Sequence, residues 1–162
     1  MQHRSCCYIG IDPGAKGGLA MLDTHGGALF ADGRCSTSAI SVADALRSAL
    51  AVASENESTV IAAIEKTAAR PGQGVASMHQ FGRNAGWWEG ALAALQVPYS
   101  IVTPQRWQKL VLDSASGATT KQRSVAQAQR FWPTLALRKT DDGLADALHI
   151  ARWCLLANSP PQ

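Results

Sequence analysis

The sequence predicts a single α/β domain, a five-stranded mixed sheet flanked by helices. Three observations predict it. Five short runs of alternating or β-branched apolar residues have the pattern of strands, longer stretches between and after them repeat apolar residues at helical spacing, and Pro and Gly punctuate the joins. With 162 residues, 46% of them hydrophobic, the chain is long enough for one full core and close to the usual size of one domain.

Residues 7–12 read as the first strand, and residues 17–23 and 27–32 as two more, joined by turns at PGAKGG and THGG into an antiparallel meander. Residues 38–54 place Ile40, Ala43, Leu46 and Leu50 at helical spacing, with Ser38 or Ser41 as the cap. Residues 59–65 form a short β-branched strand inside the sheet, and RPGQG then breaks the chain before a helix over about 74–95. A fifth strand covers about 98–103 and stops near Pro104, after which the chain reads as helical. SASGATT, over 114–120, has the composition of a mobile surface loop. Residues 120–131 carry Val125, Ala128 and Phe131 on one helical face, ended by Pro133, and residues 142–157 carry Leu144, Ala147, Leu148, Ala151 and Leu155. The domain spans residues 1–157, with 158–162 as a frayed tail.

No apolar run approaches the roughly 20 residues needed to span a bilayer, and the opening MQHRSCC lacks the long apolar stretch of a secretory signal. A soluble, cytoplasmic protein with no membrane partner is expected. Cys6, Cys7, Cys35 and Cys154 show neither a CxxC pair nor regular spacing, which favours free thiols over zinc ligands or disulfides. The net charge of +3 is unevenly divided: residues 1–65 hold 4 basic and 7 acidic side chains, residues 66–139 hold 10 and 2, and residues 140–162 hold 1 and 3. A basic middle segment suits a polyanion, whose affinity comes largely from phosphate neutralisation, although a solvated basic face is the plainer alternative.

Four acids stand on three segments. Asp12 ends the first strand in YIGIDPG, Glu65 ends the fourth in VIAAIEK, and Asp142 and Asp146 lie four apart, on one helical face, in DDGLADALHIA. Carboxylates gathered from two strands and one helix are what a pair of hard divalent cations needs, and two ions about 3.5–4 Å apart clamp a phosphodiester for in-line hydrolysis. The chain therefore reads as a metal-dependent nuclease. Plainer readings stand beside it: Asp12 as a turn residue bonded to its own backbone, Glu65 as a strand-end surface residue, the Asp142 and Asp146 pair as partners of the helix dipole, and Asp141 as the cap.

The order of three strands, helix, strand, helix, strand and helices is that expected of a ribonuclease H-like fold. The words IGIDPG with GGLAML, IEK, RPGQG with FGRNAGWWEG, VTPQRWQK and DDGLADALHIA resemble the RuvC-like Holliday junction resolvases, in particular the branch of phages and bacterial genomes that is similar to the plant chloroplast resolvase. The resemblance runs from about residue 7 to residue 153. It implies an endonuclease making paired symmetric nicks in four-way DNA junctions, with 5′-phosphate and 3′-hydroxyl ends, in a bacterial or phage-infected cell. It also implies two magnesium ions (Mg2+, with Mn2+ as a substitute) per active site, with Asp12, Glu65, Asp142 and Asp146 as catalytic metal ligands, and no nucleotide cofactor. Bacterial housekeeping resolvases carry an acid or His three residues before the final acid, where this chain has Gly143; the phage and plant-like branch uses the position four before, matching Asp142. The family is dimeric, chiefly through the helix spanning about 74–95 here, and a homodimer with two active sites suits a nearly two-fold junction. Gly82, Ala85, Gly86 and Gly90 on that helix permit close helix approach, and equally suit packing on the sheet.

His149, three beyond Asp146, is assigned a supporting place behind the ligands, toward a metal-bound water or a phosphate, with a satisfied half-buried His as the alternative. Lys66, Arg70, Arg83, Arg106, Lys109, Lys121 and Arg123 are candidates for phosphate contacts, Lys121 first because it begins a helix after the loop and matches a basic position near the family's active site. The tryptophans of NAGWWEG and QRWQK are read either as base-stacking platforms or as core and dimer packing, and Trp87 and Trp88, about 100° apart on a helix, cannot both serve one face. Three other functions are weighed: a broader ribonuclease H-like nuclease acting on flaps, branched DNA or RNA–DNA hybrids; an actin-like ATP-binding domain, which needs a much longer two-domain chain; and a DNA-binding module without catalysis.

Overall fold

A computed structural model describes residues 5–68, 72, 74–114 and 117–159. Arg70, parts of the 114–120 loop and the end of the tail lie outside the described residues. The strands are β1 (Cys6–Ile11), β2 (Gly18–Leu22), β3 (Ala28–Gly33), β4 (Thr59–Glu65) and β5 (Tyr99–Val102), and the helices α1 (Ala39–Glu55), α2 (Val75–Ala94), α3 (Pro104–Val111), α4 (Thr120–Phe131) and α5 (Asp142–Asn158). The sheet order is β3-β2-β1-β4-β5. The β1, β2, β3 meander is antiparallel, while β4 and β5 join it in parallel through helical crossovers, which makes the sheet mixed as expected.

Side-chain alternation along the central strand divides the core in two. Cys7, Ile9 and Ile11 of β1 face α1 and α2, where they meet Val42, Leu46, Trp88 and Leu92. On the opposite face, α5 lies across β1 and β2 with α3 and α4 beside it, burying Tyr8, Ala20, Leu22, Trp107 and Val125.

Three packing expectations change. In α1 the buried face is Val42, Ala45, Leu46, Ala49 and Ala53, and Ile40 is 74% exposed in the first turn. The alanines, weak hydrophobic signals in sequence, let the helix lie close to the sheet. Ser38 and Ser41 cap α1 together in a reciprocal box. In α4, Phe131 is exposed and Trp132 is buried in its place, because the helix ends at Phe131 and the non-helical Trp132 turns inward to donate Nε1–H to the Gly26 carbonyl at 2.9 Å. In α2, Ala85 points into the core while Gly82, Gly86 and Gly90 face outward, and a Cβ built on any of those three meets nothing within 4 Å.

Candidate active site

The register of the two parallel central strands assembles the first half of the site. Ile11 pairs with Ile64, so the residues that follow, Asp12 and Glu65, leave neighbouring strands side by side at their carboxyl ends. The turn-forming bond anticipated for Asp12 is present, with the Gly14 N–H donating to Oδ1 at 2.9 Å. It occupies one oxygen, and Asp12 still lines the cleft.

Two glycines bring α5 to these acids. A Cβ on Gly10 would sit 2.1 Å from the Ala147 carbonyl oxygen and 2.1 Å from the Ala151 nitrogen, so α5 crosses β1 with backbone against backbone. A Cβ on Gly143 would sit 2.1 Å from the Lys16 carbonyl oxygen, so the first turn of α5 tucks beneath the loop after Asp12. No side chain fits at position 143, and the helix offers its acids at positions 142 and 146 instead. Asp12, Glu65, Asp142 and Asp146 thus line one open cleft of about 820 Å³.

Burial and mutual repulsion dominate its electrostatics. Desolvation, helped by the Asp142 charge and opposed by the Gly14 bond and Lys121, raises the Asp12 carboxyl to about 6. Desolvation also raises Asp146, to about 8, with Asp12, Glu65 and Asp142 adding to the shift and a hydrogen bond from Ser124 opposing it. Lys121 Nζ lies 2.8 Å from Asp142 Oδ2, and that bond raises the lysine's affinity for its proton.

Behind the acids lies a layer that holds them. Trp107, fully buried on α3, donates Nε1–H to Glu65 Oε2 at 2.6 Å. Ser124, buried on α4, donates its hydroxyl to Asp146 Oδ1 at 2.5 Å. His149 stands between them. Its ring stacks on Trp107 with centroids 6.3 Å apart and 9° between planes, and meets Trp132 edge-on at 5.6 Å. Its Nε2 lies 2.9 Å from the Ser124 carbonyl oxygen, which only accepts, so Nε2 carries the proton. Nδ1 has no partner among the described residues, and burial lowers the ring to about 4, so His149 is neutral and fully enclosed. It bonds the backbone of Ser124, whose hydroxyl bonds Asp146, and does not line the cleft. The alternation of polar and apolar residues in α3 and α4 hides this layer, because Trp107 and Ser124 look like ordinary core and surface positions.

The candidate phosphate contacts separate. Lys66 and Lys121 line the cleft. Arg106 and Lys109 are exposed on α3, with the Arg106 guanidinium 5.4 Å from the Trp153 ring, and Arg83 is exposed on α2 over Trp87 at 4.9 Å. Arg123 is half-buried on α4, and its Nε has no partner among the described residues. Base stacking by the tryptophans is not supported: Trp88 and Trp107 are fully buried, Trp88 donates to Ser36 Oγ at 2.8 Å, and Trp87 packs against the first core cluster. The aromatic residue in the cleft wall is Phe81, and Lys16, Thr67 and Gln105 also line it, three residues that no sequence signal marks.

The donors suit a hard divalent cation. All four are carboxylates, and the raised proton affinities of Asp12 and Asp146, due first to burial and then to the neighbouring acids, mark carboxylates whose charge a cation would offset. Among the described residues, no group of three or more Asp, Glu, His or Cys side chains is gathered closely enough to hold a metal ion.

No family model and no curated protein sequence matches the chain. Solved structures do. The chain superimposes on Thermus thermophilus RuvC in complex with a Holliday junction substrate with a TM-score of 0.61 and 19% identity, covering 92% of this chain and 90% of that one. A second Thermus thermophilus RuvC structure matches with a TM-score of 0.55 and 18% identity over 96% and 99% of the two chains. The fold is that of RuvC, a ribonuclease H-like α/β sheet. No helix among the described residues is long and apolar enough to cross a membrane.

Proposed function

We propose that the chain is a Holliday junction resolvase, a metal-dependent endodeoxyribonuclease that works as a homodimer and makes paired symmetric nicks in four-way DNA. One observation carries this reading: Asp12, Glu65, Asp142 and Asp146 line a single cleft at the carboxyl ends of β1 and β4 in a chain with the RuvC fold. The neighbour described with a Holliday junction substrate supports the choice of junction DNA.

Asp12, Glu65, Asp142 and Asp146 would hold two magnesium ions, or manganese in their place, which when bound supply water activation and charge neutralisation at the leaving 3′ oxygen. The chain's own residues set the geometry. Trp107 and Ser124 each fix one oxygen of a ligand carboxylate, so Glu65 and Asp146 present a constrained direction to the cleft. Lys66 and Lys121 place positive charge in the wall against which the phosphodiester lies. Attack opposite the leaving oxygen inverts phosphorus and leaves 5′-phosphate and 3′-hydroxyl ends.

The outward face of α2 supports the dimer. Gly82, Gly86 and Gly90 recur every fourth residue with open space above them, and Val75, seven residues before Gly82 and so on the same side of the helix, is 79% exposed. A helix face of small and apolar residues suits a symmetric copy of itself. The proposed setting is the cytoplasm of a bacterial or phage-infected cell.

The test is cleavage of a mobile synthetic four-way junction beside duplex, flap and RNA–DNA hybrid, with magnesium, manganese or chelator. Paired symmetric nicks on the junction alone, lost in chelator, are expected. Equal cutting of flaps or hybrids would move the assignment to a broader ribonuclease H-like nuclease, and metal-independent cutting would remove the role given to the acids.

A further inference from the structure

A second, basic hollow of about 190 Å³ adjoins the acid cleft beside the end of β3, lined by Lys16, Arg34, Arg138, Thr140, Asp141 and Leu144 among others. Lys16 lines both depressions, so the two are neighbours. Three cations share this hollow with one carboxylate. Arg138 forks onto Asp141, with Nη2 3.0 Å from Oδ1 and Nε 3.2 Å from Oδ2, which fixes its orientation while committing only two of its five N–H donors to that carboxylate. The Arg34 N–H donates to the Gly17 carbonyl at 2.6 Å, tying Arg34 to the loop that carries Lys16.

The backbone of Arg34 adds an independent observation. Its φ is +63°, in the left-handed region that favours glycine. Among the described residues the other non-glycine positions with positive φ are Glu57, Gln96 and Ala136, and each closes a helix, where that conformation is the ordinary terminator. Arg34 closes no helix. A long cationic side chain held on an unfavourable backbone, beside a cleft, is the kind of local strain that accompanies function.

We propose that Lys16, Arg34 and Arg138 form a phosphate-binding subsite, seating a backbone phosphodiester of the DNA arm that leaves the acid cleft on the β3 side. The identity of the polyanion rests on the nuclease reading; the subsite itself rests on the hollow and on Arg34. Charge counting along the chain conceals it, because Lys16 and Arg34 belong to the acidic first segment and meet Arg138 only in the fold.

Arg34→Gly separates function from structure, since glycine accepts the same backbone. Junction and duplex binding in chelator, followed across a salt series, should weaken, with the slope of log affinity against log salt falling by about 1 for each phosphate no longer neutralised, while the melting temperature holds or rises. Lys16→Gln, on an exposed loop residue, should weaken binding in the same way. Unchanged affinity and slope in both variants, with no effect of inorganic phosphate on the melting temperature, would overturn the subsite, as would a fall in melting temperature with the slope intact, which would make Arg34 structural. If inorganic phosphate raises the melting temperature of the unaltered protein but not of Arg34→Gly, and DNA binding is equal in both, the hollow takes free phosphate and the DNA assignment fails. A reduced slope in a protein that never nicks junctions would overturn the resolvase reading and leave the subsite standing.

Discussion

Helices α5 and α2 are nearly equal in length, yet they sit in the molecule in opposite ways. Ten of the 17 residues of α5 are buried, against four of the 20 in α2, and the first turns of α2 carry an exposed Val75 and Phe81. The helix that presents the acids is enclosed on nearly every side, whereas the helix beside the cleft keeps one face uncovered. A site that must hold carboxylates in fixed directions is built where the protomer is fully packed. The region left open is the one to which the proposed dimer assigns a partner.

Removing a ligand tests the packed end most severely. Asp146→Asn should lower junction cleavage by about 10³-fold or more, the equivalent of several kcal/mol of lost metal stabilisation, with junction binding retained. Its melting temperature in chelator should not fall, because burial already favours the uncharged side chain that the amide resembles. Unfolding of this variant would show that α5 depends on its acid for stability and would break the contrast with α2.

The bracing layer comes next. Ser124→Ala and Trp107→Phe should each weaken manganese binding by about 10- to 100-fold in calorimetric titration, as expected when a ligand loses its oriented hydrogen bond. Equal metal affinity in both would reduce the layer to ordinary packing.

Proton linkage offers a third test, in metal-free protein. Asp146 holds its proton up to about 8 and Asp12 up to about 6 in the fold, against a reference near 3.8, so the folded state binds these protons more tightly than the unfolded chain. Their stabilising contribution is therefore full below about 4 and declines as pH rises, through about 6 for Asp12 and about 8 for Asp146. The melting temperature in chelator should fall across that window, and Asp146→Asn should flatten the upper part. A melting temperature that rises between pH 6 and 8 on account of Asp146 would reverse this sign.

The smallest effect belongs to α2. Gly86→Ala should stabilise the isolated protomer by up to about 1 kcal/mol through helix propensity, since nothing opposes a Cβ there. Gly86→Arg should shift sedimentation from dimer to monomer with the protomer's melting temperature held. A dimer unaffected by Gly86→Arg would move the interface elsewhere.

What is legible in the sequence follows from the kind of signal each element carries. The strands and all four acids are readable, because β-branched runs ending in a single carboxylate stand out against their neighbours. The face of α1 is hard to read because alanines carry it, and spacing puts Phe131 inside because it does not reveal that the helix stops one residue before Trp132. Gly143 looks like a departure from a ligand pattern; its meaning is steric, a contact with the loop after Asp12 that only the fold creates. The bonds from Trp107 to Glu65 and from Ser124 to Asp146 span 42 and 22 residues, so no local pattern announces them.

The indole of Trp107 joins the cleft to the interior, with its N–H on Glu65 and its ring against His149. An excited indole responds strongly to the charge at its nitrogen, and here that charge is the very carboxylate assigned to the cation. If the cation binds as proposed, occupancy of the cleft should change the emission of Trp107, readable without a dye or a tag, and Trp107→Phe should remove that response from the signal of the other tryptophans.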